Sequence, residues 1–285
     1  MFNKVIIGVD MGGTNIGIGR VEKDLFNECK SFDISAQGTK EKILEEIINV
    51  IYSVFDDNVA GIGIGVPSLV DVNKGIVYNV QNMPSWDEVH LKDILEEQFG
   101  IPVFVNNDAN CFTVGEKYFG IGKRFSNIVG ITMGTGLGAG IIINNRLYSG
   151  MNCGAGEFGS IPYKDQIFEY YCSGQFFKKV YNIEGSIVFE KAKLGDTKAL
   201  KILEEFGYHL GNVIQTVLFS VDPEVIILGG SVSRAYPFFN NAMWESVNEF
   251  PYKHSLKNLV IDVTTQPYIS ILGAAALYYD AHHVD

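Results

Sequence analysis

The chain is poor in several things, and each shortage excludes something. Only four cysteines, Cys29, Cys111, Cys153 and Cys172, stand in 285 residues, and no two form a CxxC pair. A zinc ribbon and a dithiol redox motif are thereby excluded, and the cysteines read as four reduced thiols. Positive charge is short as well. With 22 Lys and Arg against 33 Asp and Glu, the formal net charge is −11. Sequence-independent nucleic-acid binding and an anionic membrane surface both need a basic face, so neither is an expected partner. The densest basic pairs, Lys123-Arg124 and Lys178-Lys179, read as solvated surface. Unbroken hydrophobic runs are missing too. The longest apolar region, 128–143, is interrupted by Gly134, Gly136, Gly138 and Gly140, a pattern of a hairpin rather than a membrane span. The first residues show no basic start, apolar run and small-residue cleavage site of a secretory leader. The expectation is a cytoplasmic protein. No low-complexity linker divides the chain. The histidines, His90, His209, His254, His282 and His283, form no constellation. His209 falls near the apolar stripe of a helix and reads as packed, while Trp86 and the Tyr-rich tail read as packing or a subunit interface.

What is present reads as alternating α and β elements. The hydrophobic fraction of 47% and charged fraction of 19% are ordinary globular values, and the length accommodates two domains. Residues 5–9 are a buried strand signal, broken by Asp10-Met11-Gly12-Gly13-Thr14-Asn15, and 16–21 alternate as a second strand. Glycines in such a turn leave backbone N–H groups open to an anion, and Asp10 is suited to a metal's hydration shell. An ordinary tight turn with a capping Asp fits the same residues. The device recurs: strand 127–133, then Gly134-Thr135-Gly136-Leu137-Gly138, then strand 139–143. The echo suggests two similar halves, each opening on a phosphate-sized hairpin. Residues 40–55 and 197–220 carry helical apolar stripes, the second capped by Asp196. A helix at 91–99 is closed by Gly100, strands follow at 61–66, 225–228 and 259–263, loops run from 75 toward 91, and an Ala-rich helix begins at Gly273.

The stretch Asn106-Asn107-Asp108-Ala109-Asn110 follows a short apolar strand and opens a helix. A carboxylate at a strand-to-helix junction sits where α/β proteins place reactive groups. On these residues alone, Asp108 is either a catalytic base or a plain helix cap, and Asn106 or Asn107 could cap equally well.

Taken together, these segments resemble a known superfamily. Asp10 to Asn15 resembles the phosphate-1 loop of the actin/hexokinase/Hsp70 ATPases, Gly134-Thr135-Gly136 the phosphate-2 loop, and residues 225–231 the adenosine motif. Within it, Asn107-Asp108-Ala109-Asn110, Gly154-Ala155-Gly156-Glu157-Phe158-Gly159, and Glu169 four residues before Ser173-Gly174 resemble the ROK sugar kinases. The resemblance implies an α/β, two-lobed actin/hexokinase-like (ribonuclease H-like) fold with a nucleotide and sugar cleft. The lobes are expected at 1–105 plus 272–285 and at 106–271. It implies ATP-dependent phosphorylation of a hexose hydroxyl with ATP and Mg2+, glucose at its 6-hydroxyl leading and mannose, an N-acetylated hexosamine, fructose or allose as alternatives. Asp108 aligns with the catalytic base. Asn107, Glu157 and Glu169 align with sugar-binding residues, and Gly65 and Asn82 fall in a loop pattern that touches sugar. Gly12, Gly13, Thr14, Asn15, Thr135, Gly136, Gly229 and Gly230 align with nucleotide contacts, with Asp10 holding Mg2+ through water. A homodimer is the family expectation.

The chain departs from the family in two linked ways. Where the family has Glu-x-Gly-His, this sequence has Glu157-Phe158-Gly159-Ser160. The Cys-rich zinc loop is missing, since only 161–168 separate Ser160 from Glu169. No zinc site is expected. Ser160 still donates and accepts a hydrogen bond but is shorter than His, which leaves room for a bulkier sugar substituent or a water. A sugar-responsive regulator without kinase activity is the alternative. The family's repressors carry an N-terminal helix-turn-helix, whereas here the first strand signal starts almost at Met1.

Overall fold

The computed structural model describes residues 4–22, 25–80, 83–151 and 153–282. The fold separates into two units, Met1–Arg124 with Gly140–Ala155 and Thr265–Asp285, and Phe125–Ala139 with Gly156–Thr264. The division expected on the sequence is drawn at other points: residue 106 falls inside the first unit, which also takes 140–155.

In chain order the first unit begins with β1 (Val5–Met11), β2 (Asn15–Glu22), β3 (Leu25–Asp33), α1 (Lys40–Tyr52) and β4 (Val59–Val66). Next come β5 (Leu69–Asp71), β6 (Ile76–Tyr78), β7 (Glu88–His90), α2 (Leu91–Phe99), β8 (Val103–Asn107) and α3 (Asp108–Phe119). The second unit holds β9 (Ile128–Met133). β10 (Leu137–Ile143) runs on into the first unit, where it pairs with β11 (Arg146–Leu147). The second unit continues with β12 (Pro162–Tyr163), β13 (Gln166–Ile167), α4 (Phe168–Cys172), α5 (Gly174–Tyr181), α6 (Gly185–Lys193) and α7 (Thr197–Val221). It ends with β14 (Val225–Gly229), α8 (Tyr236–Val247), α9 (Lys253–Leu256) and β15 (Val260–Val263), and α10 (Ile269–Ala281) belongs to the first unit.

The first unit's sheet has the order β3-β2-β1-β4-β8. β1, β2 and β3 form an antiparallel meander, and β4 and β8 join β1 in parallel. Parallel strands buried on both faces need near-continuous apolar sequence, and β1 and β4 supply it. The region from 75 toward 91, expected as loop, holds β6 and β7, which with the preceding β5 form a three-stranded antiparallel sheet, β5-β6-β7. Its strands have three residues each, too short for a period-two signal to stand out from turns. β3 also went unread, because LFNECKSFD lacks clean alternation.

Helix ends follow the expected chemistry. Gly100 closes α2 in the left-handed region at φ 68°. Asp196 caps α7 by accepting from Lys198 N and Ala199 N. α10 begins at Ile269, a turn earlier than its Ala-rich run suggested. It lies against β1 and β4 so closely that a Cβ at Gly8 would fall 2.0 Å from Ile271 O, and one at Gly63 1.7 Å from Ala274 O. These glycines are packing residues: only a missing side chain lets a helix backbone approach a strand this far.

Candidate active site

In the first unit, strand register gathers residues far apart in sequence. Asp10 on β1 lies opposite Gly65 on β4, Gly65 lies opposite Asn106 on β8, and Val66 opposite Asn107. The three strands are parallel, so Asp10, Gly65 and Asn107 share the carboxyl edge of the sheet, where α/β folds bind ligands. The hairpin 10–15 is closed there by Gly12 N–H donating to Asn15 O at 2.8 Å, and Thr14 and Asn15 are exposed. Asn82 lies outside the described residues.

The junction at Asp108 is pinned by three asparagines. Asn106 is buried and its Oδ1 accepts from Asn107 N at 2.8 Å and Asn110 Nδ2 at 2.9 Å. Asn107 is the cap of α3: its Oδ1 accepts from Ala109 N at 2.9 Å while its Nδ2 donates to Ser68 O at 3.2 Å. Asp108 is therefore the first helical residue and not the cap. One carboxylate oxygen accepts from Ala109 N at 2.8 Å. Gly65 keeps this corner small, since a Cβ there would sit 3.0 Å from Cys111 Sγ and 3.6 Å from Asp108 Cα.

The charge of Asp108 reaches Asp10. Burial, with the negative charge of Asp108 added, pushes the Asp10 carboxyl from 3.8 up to about 7. The buried Cys111 thiol is pushed well above its ordinary range, first by burial and then by Asp10 and Asp108. Excess negative charge near a strand end invites a hydrated divalent cation. Among the described residues no group of three or more His, Cys, Asp or Glu could hold a metal. Mg2+ keeps several waters and takes its other ligands from substrate phosphates, so one or two protein carboxylates suffice, and Asp10 and Asp108 are such a pair. The residues present thus fit the ion.

The second unit has its own strand edge. β9, β14 and β15 are parallel, and Gly229 at the end of β14 lies opposite Thr132 on β9. Gly230 follows at φ 82°, where a Cβ would meet Met133 O at 2.3 Å, so only glycine fits. The 134–136 turn is closed by Gly134 N–H donating to Gly136 O at 3.0 Å, with Thr135 exposed. Thr135, Gly136, Gly229 and Gly230 thus share one end of this sheet. A cavity of about 620 Å³ opens beside them, lined by Gly134, Thr135, Gln175, Phe177, Phe189 and Arg234 among others. Its apolar helical wall carried no sequence signal distinguishable from core.

Glu157 and Ser160 bracket a 3-10 turn, Phe158–Ser160, and both are exposed. Partial shielding of the Glu157 carboxyl, with the charge of Glu169 added, pushes it above the ordinary carboxylate range. The two glutamates are therefore near neighbours. Between them runs the short β12–β13 hairpin. It is held by aromatic packing: Tyr163 stacks on Phe168 at 4.5 Å, and its hydroxyl lies 3.0 Å from Nδ1 of buried His209 on α7. His209 is a packed histidine as the sequence suggested, its pKa lowered first by burial and then by Lys164, against the opposing pull of Glu205.

The ROK family model matches residues 6–281. The chain belongs to the ROK family. It is 30% identical over 309 aligned positions to a glucokinase of Thermotoga maritima, covering 95% of this chain and 96% of that one. A xylose repressor of Bacillus spizizenii is 30% identical over 278 positions, covering 88% of this chain and 71% of the repressor. Among solved structures, a ROK family glucokinase from Streptomyces griseus, in complex with glucose and AMPPNP, matches with a TM-score of 0.81 at 28% identity. That match covers 96% of this chain and 98% of the glucokinase. The two five-stranded sheets and these likenesses agree with the expected actin/hexokinase-like fold. Among the described residues no helix is long and apolar enough to cross a membrane.

Some contacts at these sites were not expected from the sequence. Asn106 and Asn110 are buried structural partners of the Asp108 junction. Gln175 donates to Glu169, and Leu137 offers its backbone N–H to the same carboxylate. The Leu137 donor has no sequence signal, because a main-chain N–H has no residue type.

Proposed function

We propose that this ROK-family chain is an ATP-dependent hexose kinase. The observation that carries the reading is the gathering of Asp10 and Asp108 at one sheet edge, close enough for the charge of Asp108 to reach Asp10. Phosphoryl transfer asks a protein mainly for positioning and neutralisation of oxygen charge. When bound, Mg2+ supplies charge neutralisation across the donor's phosphate oxygens, and Asp10 is the residue that would hold it through water.

Asp108 is the proposed general base, accepting the proton of the attacking hydroxyl. It sits in the first turn of α3, at the positive end of the helix dipole. Asn107, Gly65 and Asn82 are proposed on the sugar side of the first unit, and Glu157, Ser160 and Glu169 on that of the second. Gly12, Gly13, Thr14 and Asn15, and Thr135, Gly136, Gly229 and Gly230, are the proposed phosphate and nucleotide contacts. The leading acceptor is the 6-hydroxyl of glucose, with mannose, N-acetylated hexosamines, fructose and allose as competitors because Ser160 replaces the family's His. A cytoplasmic homodimer without zinc completes the reading.

The similarity to xylose repressors favours a second reading, a sugar-binding regulator without turnover. One assay separates the two. ADP release is measured with Mg2+ and ATP against glucose, mannose, N-acetylglucosamine, N-acetylmannosamine, fructose and allose. Turnover with at least one sugar is expected; binding of a sugar with no ADP release from any would establish the regulator instead.

A further inference from the structure

Glu169 is expected to face a sugar, yet both of its oxygens are engaged by the second unit itself. Oε2 accepts from Leu137 N at 3.0 Å, and Oε1 accepts from Gln175 Nε2 at 2.8 Å. Leu137 ends the Gly134–Gly136 turn. Its start is fastened to the same place, since Gly174 N–H donates to Gly134 O at 2.8 Å. The backbone of Glu169 is tied in as well: Ser173 Oγ donates to Glu169 O at 2.7 Å while accepting from Gln175 N at 3.2 Å. A Cβ at Gly136 would stand 2.5 Å from Glu169 Oε2.

An ionised carboxylate offers about four lone-pair sites, so two hydrogen bonds leave room for sugar hydroxyls. Charge-assisted hydrogen bonds are also the strong ones, so the Leu137 N–H follows the carboxylate wherever it is held. We propose that Glu169 is a positioning residue for the Gly134–Leu137 turn and that it couples the two substrates: a hexose that fixes its side chain also fixes the turn that receives the donor's phosphates. The coupling is positive, because the hexose uses lone pairs the turn does not need. It is also reciprocal, as any binding linkage must be. The proposal rests on the hexose kinase reading and adds to it a role for a sugar-side residue on the nucleotide side.

The test is calorimetric titration of Mg2+–ADP in the absence of any sugar. Glu169→Gln should weaken ADP about tenfold, because Leu137 N–H loses a charged acceptor and the single carboxamide oxygen can turn either to Leu137 N–H or to the Gln175 amide. The exchange variant Glu169→Gln with Gln175→Glu restores an acceptor opposite a donor, and should bring ADP affinity back to within about threefold of wild type. A purely structural defect would not be rescued this way. ADP affinity within about twofold of wild type in Glu169→Gln overturns the proposal, whatever happens to sugar binding. Gly136→Ala gives the reciprocal measurement should Glu169→Gln not fold. With no nucleotide present it should weaken binding of the sugar turned over fastest in the six-sugar assay, and unchanged sugar affinity overturns the coupling. Failure of the kinase reading looks different: wild type would release no ADP with any sugar, while Glu169→Gln still weakened ADP.

Discussion

Asp10 stands in an environment that costs the folded protein stability, and Asp10→Asn should recover it. The folded-state pKa of about 7 lies above the exposed value of 3.8. Between these values the folded state binds more protons than the unfolded state, so stability falls as pH rises. Below about pH 4 both states hold the proton and the effect vanishes; above about pH 7 it is complete. At 1.36 kcal/mol per tenfold change in proton affinity, the difference is about 4 kcal/mol. Asparagine keeps the shape and removes the charge. In metal-free buffer, urea denaturation should show Asp10→Asn more stable than wild type by roughly 2–4 kcal/mol at pH 8 and by almost nothing at pH 4. Mg2+-dependent turnover should fall in the same variant, the trade-off expected of a functional carboxylate held in unfavourable surroundings. A gain equal at both pH values, or none at pH 8, would falsify the argument that charge is the source of the strain.

Other outcomes follow from particular contacts. Asp108→Asn should lower kcat by about 10²–10⁴-fold with hexose affinity retained, and substantial residual turnover would remove Asp108 from the role of base. Gly63→Ala places a Cβ 1.7 Å from Ala274 O, so α10 must retreat from the sheet; a loss of roughly 1–3 kcal/mol is expected, and an unchanged melting temperature would contradict the packing. Tyr163→Phe removes the hydroxyl beside buried His209 Nδ1 and should cost about 1 kcal/mol, with a raised KM for hexose and an unaltered KM for ATP. Equal effects on both constants would show that the hairpin does not act on the sugar side. Elemental analysis of the purified protein should find no stoichiometric zinc, given that no Cys-rich loop lies between Ser160 and Glu169.

The sequence by itself determined the elements and much of the chemistry. Strand 5–9, the two Gly/Thr hairpins, α2 with its Gly100 stop, and α7 with its Asp196 cap were legible because caps, turns and helical stripes are local physics. It also showed that Asp108 opens a helix, and it left open whether that residue caps it. Tertiary structure answered that question: Asn107 takes the capping bond, and the buried Asn106 holds the corner through Asn110. The strands β5–β7 escaped because three residues cannot carry a period. Register across parallel strands brings Asp10 beside Asp108, and no local pattern records register between segments so far apart. The fastening of Glu169 to a main-chain N–H was equally invisible, since a backbone donor has no letter of its own. The residue types that can do the chemistry were set by the sequence; which of them share a charge, a hydrogen bond or a sheet edge was decided only when the chain folded.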